Sequence, residues 1–204
     1  PRAGLPDGNP YRGLARFDAR HRSVFFGRDA DARAIAERLR AQPVVVLAGD
    51  SGVGKSSLAL AGVVPGFAEA GWTCVAFTPG RHPLAALAAA VAPVLGEPDL
   101  AARLAVEPGA LATALGRRAA SGSRTLLVVD QLEELCTLAT PDEAAAFAEA
   151  LAALAVPAAG VRLLATARSD FLGRLAGLPG LGVELAPALY LVRALGVDGL
   201  REAV

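Results

Sequence analysis

The chain has 204 residues, 53% of them hydrophobic, and a formal net charge of zero. That is enough apolar material for one domain with a full core, and the balanced charge argues against broad electrostatic binding to nucleic acid or an anionic membrane. The two cysteines, Cys74 and Cys136, lie in or beside apolar runs without metal-ligand spacing, so reduced core thiols in a cytoplasmic protein are expected. No apolar run approaches the ~18 residues of a spanning helix, and no secretory signal is visible. The chain contains no methionine, which suggests a piece of a longer or processed polypeptide. Its Ala/Arg/Gly/Leu/Val bias, with almost no lysine or asparagine, looks like that of a high-G+C bacterial genome.

In chain order, residues 1–13 are rich in Pro, Gly and Arg and read as an extended lead-in. Residues 1–28 hold Arg2, Arg12, Arg16, Arg20, Arg22 and Arg28 against Asp7 and Asp18, the pattern of a solvated arm. Residues 29–40 predict a helix with Ile35 and Leu39 on one face. Residues 43–48 form a β-branched apolar run, the signature of a buried parallel strand. Residues 56–62 are helix formers closed by Gly62. A strand is predicted at 72–77, helices at 83–92, 98–105 and 108–120, and a third strand at 125–129. A helix over 141–154 starts with Pro141 in its first turn. A fourth strand covers 161–167, after which Ser169 or Asp170 is a candidate cap for a short helix. A fifth strand lies within 183–192, weakened by Pro187, and Asp198 is placed to cap a final helix. This alternation predicts an α/β fold, a mainly parallel five-stranded sheet with helices on both faces.

Between the first strand and its helix stands Gly49-Asp50-Ser51-Gly52-Val53-Gly54-Lys55-Ser56, followed by Ser57. Lys55 is the only lysine, beside nineteen arginines. The segment fits G-x-x-x-x-G-K-[ST], in which backbone N–H groups wrap phosphates, the lysine reaches the β/γ-phosphates and the hydroxyl binds Mg²⁺. The flanking strand and helix are the context that pattern requires, with the helix N-terminus facing the anion. The third strand runs into Asp130-Gln131-Leu132-Glu133-Glu134. Asp130 is a candidate Mg²⁺ ligand together with Ser56, the alternative being a helix N-cap. Glu133 or Glu134 is a candidate for orienting the attacking water; the reading leans to Glu134 and leaves both open. Arg168 ends the fourth strand, where a guanidinium stabilises charge on a γ-phosphoryl group, or simply pairs with Asp170. The loop, Asp130 and Arg168 all fall at carboxyl ends of strands, where parallel sheets bind ligands.

These motifs resemble those of the bacterial STAND-class P-loop NTPases, and more closely the novel STAND NTPase 1 group. The matching stretches are Asn9-Pro10-Tyr11-Arg12-Gly13-Leu14, Phe17-Asp18, Phe25-Phe26-Gly27-Arg28-Asp29 and residues 49–57. They continue with Ala61-Gly62-Val63-Val64-Pro65, residues 130–135, residues 167–172 and Leu200-Arg201-Glu202-Ala203. The resemblance implies an ATP/ADP-binding, Mg²⁺-dependent switch. It places Phe26, Gly27 and Arg28 at the base end of the nucleotide, and Lys55, Ser56 and Asp130 at phosphate and metal. Glu133 or Glu134 carries over to water activation and Arg168 to sensing the γ-phosphate. It divides the chain into an arm, 1–28, and a core, 29–204, with the family's helical and winged-helix lid expected beyond Val204. It further implies other domains of a longer polypeptide and self-association on activation as partners. The guanine-specific Asn/Thr-Lys-x-Asp element of GTPases is missing, since Asn9 is the only asparagine and Lys55 the only lysine. A nucleotide-dependent interaction module with little hydrolysis, or a small-molecule kinase, are the alternatives.

Overall fold

The computed structural model describes residues 16–97, 99–156 and 160–196. The lead-in at 1–13 and the final helix with its cap at Asp198 lie outside the described residues. Five strands, β1 (Val44–Gly49), β2 (Trp72–Phe77), β3 (Arg124–Val129), β4 (Val161–Arg168) and β5 (Leu189–Leu191), form one sheet in the order β2-β3-β4-β1-β5. Every neighbouring pair is parallel. The helices in chain order are α1 (Asp29–Ala41), α2 (Lys55–Ser57), α3 (Val64–Glu69), α4 (Pro83–Leu95), α5 (Leu100–Val106) and α6 (Ala110–Ala120). They continue with α7 (Glu134–Thr137), α8 (Pro141–Ala152), α9 (Leu172–Ala176) and α10 (Leu181–Ala188).

The strands are apolar on both faces because both faces are covered. Val44, Val46, Leu127, Val129, Leu163 and Ala165 enter a core under α4, α5, α6, α8, α9 and α10. Their chain neighbours Val45, Leu47, Leu126, Val128 and Leu164 enter a second core with Ile35, Leu39, Leu58 and Phe67 from α1 and the helix after β1. This alternation is the period of two that sends successive side chains to opposite sides of a sheet. It makes β1 fully buried along its length.

Three expectations change. The helix after the glycine loop does not stop at Gly62 but passes through a π-helical stretch, Leu58–Val63, into α3. Gly62 is there for close packing: a Cβ on it would lie 3.2 Å from Phe25 Cε1 and 3.2 Å from Leu58 Cδ1. Most of 183–192 is helix, with only Leu189–Leu191 as strand. Leu181, Leu185 and Ala188 recur at helical spacing and are buried, and Pro187 lies inside the helix near its C-terminal end, where it removes one i→i−4 donor just before the helix stops at Ala188. Ser169 and Asp170 do not cap α9 by their side chains, which bond elsewhere.

Residues 16–28 include a 3₁₀ turn, Ala19–Val24, capped by a reciprocal Asp18–His21 pair. Arg16, Arg20 and Arg22 stay exposed while forming ion pairs, and among the described residues here Arg28 alone departs from the solvated pattern. Arg20 pairs with Asp18, Arg22 with Glu69, and Arg28 is buried.

Candidate functional site

The carboxyl ends of β1 and β4 lie side by side, with Gly49 in register with Arg168. From Gly49 the chain turns through the glycine loop. Gly52 and Gly54 have φ of 81° and 90°, a left-handed backbone that side chains with a Cβ rarely adopt. Gly49 is required for a different reason. A Cβ there would lie 2.6 Å from the carbonyl oxygen of Val192, where the chain leaves β5. Gly54 is the N-cap of the helix that begins at Lys55.

Lys55 is buried, and its Nζ donates to the carbonyls of Gly49 at 2.8 Å and Asp50 at 2.7 Å. The ammonium is thus folded back over its own loop. Burial lowers its pKa below the ordinary lysine value; the charge of Glu133 opposes that and the charge of Arg168 adds to it. Lys55, Glu133 and Arg168 therefore feel one another electrostatically.

Ser56 Oγ donates to Asp130 Oδ1 at 2.7 Å. Asp130 follows β3, and its side chain is 2% exposed. It is not a helix N-cap. The same Oδ1 accepts a second hydroxyl bond, from Thr166 Oγ1 on β4 at 2.6 Å, and Oδ2 is paired with the Arg16 guanidinium at 2.7 Å. Thr166 Oγ1 in turn accepts from the Gln131 N–H at 2.9 Å. Gln131 has φ of 61°, the left-handed region for a residue with a side chain, so the backbone just past Asp130 is held in an uncommon conformation. Ser57 faces the other way: its Oγ accepts from the Phe17 N–H at 3.1 Å and ties the N-terminal segment to the helix.

The two glutamates separate. Glu133 Oε2 accepts from the Arg168 backbone N–H at 3.2 Å, at the end of β4. Glu134 Oε2 accepts from the Gly80 N–H at 2.8 Å and braces the loop after β2. Arg168 directs its guanidinium onto Asp170, at 3.0 and 2.7 Å, and over the Phe171 ring at 5.3 Å. Asp50 Oδ1 accepts from Ser169 Oγ at 2.7 Å, joining the glycine loop to the end of β4.

Beside the loop, Phe26 is half-exposed and Gly27 has φ of 78°. The guanidinium of Arg28, expected at the base end of a nucleotide, is 8% exposed and bonded within the protein. It donates to Asp31 Oδ2 at 2.9 Å and to the carbonyls of Val53 at 2.9 Å and Arg193 at 2.7 Å.

The donor set suits a hard divalent cation. Among the described residues no group of three or more His, Cys, Asp or Glu is placed to hold a metal. Asp130 and Ser56 offer one carboxylate and one hydroxyl, and a positive group already rests on that carboxylate. Mg²⁺ is bound in this way, by one or two protein oxygens, with phosphate and water supplying the rest. Sequence reasoning missed Thr166 and Arg16. A lone threonine in the apolar run 163–167 was a usable signal for the first, whereas Arg16 carried none.

A search of curated proteins gives no match to this chain. Among solved structures it is similar to the Walker-type ATPase PABY2304 of Pyrococcus abyssi, with TM-score 0.63 and 16% identity over 92% of this chain and 59% of that one. It is also similar to the ORC2 protein of Aeropyrum pernix in its ADP form, with TM-score 0.53 and 15% identity over 82% of this chain and 46% of that one. The chain thus spans about half the length of these two proteins. The family model described as Novel STAND NTPase 1 matches residues 10–204, and with the glycine loop, Lys55 and Asp130 assembled on a parallel sheet the chain belongs to that family of P-loop NTPases.

Proposed function

We propose that this chain is the ATP-binding core of a bacterial, cytoplasmic signalling switch. It hydrolyses ATP slowly and passes its nucleotide state to other domains of a longer polypeptide and to self-association. The observation that carries the reading is the convergence of Lys55, Ser56 and Asp130 at the ends of β1 and β3, with a 2.7 Å bond between the hydroxyl and the carboxylate. Residues 49–57 supply the backbone N–H groups for the phosphates, and Lys55 exchanges its two loop carbonyls for phosphate oxygens. Ser56 and Asp130 hold Mg²⁺, which neutralises phosphate charge when bound.

Glu133 orients the attacking water: the Arg168 N–H from which it accepts ends β4, in register with Gly49 at the start of the glycine loop, whereas Glu134 is bonded to Gly80 after β2. Arg168 leaves Asp170 for the γ-phosphate. That exchange gives up only an exposed, solvent-screened pair, so little opposes it. Phe26 and Gly27, at the end of an arm covering 1–28, flank the base, and 29–204 is the core on which a C-terminal lid closes. The likeness to an ADP form adds ADP as a held ligand.

A second reading, a nucleotide-dependent interaction module with little turnover, is favoured by the engagement of Arg168 with Asp170. Phosphate release from ATP by the full chain, measured beside Lys55→Ala, separates the two. Slow release above that control supports the switch ATPase. Binding without release above it rejects hydrolysis and leaves the module.

A further inference from the structure

The glycine loop is fastened from behind by a side chain that no phosphate-binding pattern includes. Val53 sits between Gly52 and Gly54, both with left-handed backbone. Glycines rotate easily, so the Val53–Gly54 peptide has little local reason to keep one orientation. Arg28 gives it one, through the 2.9 Å bond from Nη2 to the Val53 carbonyl. In a trans peptide the C=O and the following N–H point in opposite directions. Holding the Val53 carbonyl therefore aims the Gly54 N–H away from Arg28, and that N–H belongs to the array that receives phosphate.

The same Nη2 reaches the Arg193 carbonyl at 2.7 Å. Arg193 lies just past β5, whose exit is already pressed on the loop. The Val192 N–H donates to the Ala48 carbonyl at 2.7 Å, and Gly49 has no room for a Cβ beside the Val192 oxygen. One guanidinium nitrogen thus joins the phosphate loop to the chain leaving the last strand. Arg28 is itself held by Asp31 Oδ2, and Asp31 Oδ1 accepts from the Tyr190 hydroxyl on β5 at 2.7 Å. Burial, with the Asp31 hydrogen bond second, pushes the Tyr190 phenol up to about 12, so the hydroxyl stays a donor.

We propose that Asp31 and Tyr190 are positioning residues for nucleotide binding. They orient Arg28 so that it sets the Val53–Gly54 peptide and couples the filled phosphate loop to the segment leaving β5. The inference rests on the nucleotide-binding reading above. On filling of the loop, the tie at Val53 tightens and residues 192–196 become better ordered.

Tyr190→Phe is the informative change. It removes one oxygen, keeps the ring, and leaves the buried Arg28 paired. Three quantities are measured on the full chain: the Kd for ADP, the melting temperature without nucleotide, and amide hydrogen exchange over 192–196 with and without ADP. The expected result is a three- to tenfold weaker Kd, about what one hydrogen bond is worth, with less ADP-induced protection at 192–196. Asp31→Asn, which keeps the shape but not the charge, gives a larger effect in the same direction. A Kd within twofold of wild type in both variants overturns the proposal, even if both melt lower, since that is a purely structural role. Unchanged protection at 192–196 overturns the coupling. Failure of the wild-type chain itself to bind ADP is a separate outcome, which sinks the nucleotide reading and this inference with it.

Discussion

Removing Arg16 tests how the acidic side of the site is charged. Its guanidinium lies 2.7 Å from Asp130 Oδ2, and the Arg16 side chain is 54% exposed while that of Asp130 is 2% exposed. A fully buried pair broken on one side costs about 3–5 kcal/mol, and a fully exposed one about 0–1. Water screens the exposed half of Arg16, and Ser56 and Thr166 still donate to the carboxylate, so Arg16→Ala is expected to cost about 1 kcal/mol. For a chain of this size that lowers the melting temperature by about 2–4 °C.

The same geometry fixes the response to Mg²⁺. A divalent ion drawn to Asp130 competes with Arg16 for one negative charge. Deleting the competitor lowers the Mg²⁺ concentration for half-saturation by about fivefold, the equivalent of about 1 kcal/mol. The assay is a Mg²⁺ titration at saturating ADP, followed by thermal shift, with Arg16→Lys as the charge-preserving control. An identical half-saturation point in Arg16→Ala and wild type would refute the reasoning, because Arg16 and the ion would then not share Asp130.

Glu133→Gln should abolish ATP hydrolysis with nucleotide affinity kept, while Glu134→Gln should keep hydrolysis and lower stability by about 1 kcal/mol through its Gly80 bond; phosphate release and melting curves check both, and full activity in both variants rejects the assignment. Gly49→Ala should destabilise by about 1–3 kcal/mol, because its Cβ meets the Val192 oxygen at 2.6 Å; an unchanged melting temperature contradicts that close approach. Absorbance at alkaline pH should show a phenol ionising at about 12 that is lost in Tyr190→Phe. Because the folded value is raised above the ordinary ~10, its stabilisation is complete below pH ~10 and is lost as pH rises towards 12. Ionisation of Tyr190 at the ordinary value would show that its hydroxyl is neither buried nor held by Asp31.

The parts of the fold legible in the sequence were those with local causes. The β-branched run before Gly49 reads as β1 because a strand covered on both faces needs no polar alternation. The segment 72–77 reads as β2 because the turn at Thr78-Pro79-Gly80 ends it. The stretch 183–192 misled because its apolar residues fit either period, and the packing of Leu185 and Ala188, with Leu181 before them, on the helical core decides it. Gly62 carries the mark of a helix terminator, yet its role is contact with Phe25, a residue far away in sequence.

The site divides in the same way. The order of Gly49, Lys55, Ser56 and Asp130 was readable because each occupies a fixed place at a strand end. The choice between Glu133 and Glu134 was not. Adjacent residues point in different directions: Glu133 meets the Arg168 N–H at the end of β4 and Glu134 the Gly80 N–H after β2, contacts between segments far apart in sequence. Arg16, Thr166 and Tyr190 reach the site or its support only through tertiary contacts.

The most direct test of the central claim is a binding titration of the full chain with ATP, ADP and GTP, with and without Mg²⁺, beside Lys55→Ala. The account predicts saturable, adenine-selective binding that Mg²⁺ strengthens for ATP and that Lys55→Ala weakens at least about a hundredfold, the loss of a buried charge-assisted contact of about 3 kcal/mol. Equal binding by wild type and a folded Lys55→Ala, or none by a folded wild-type chain, would contradict it.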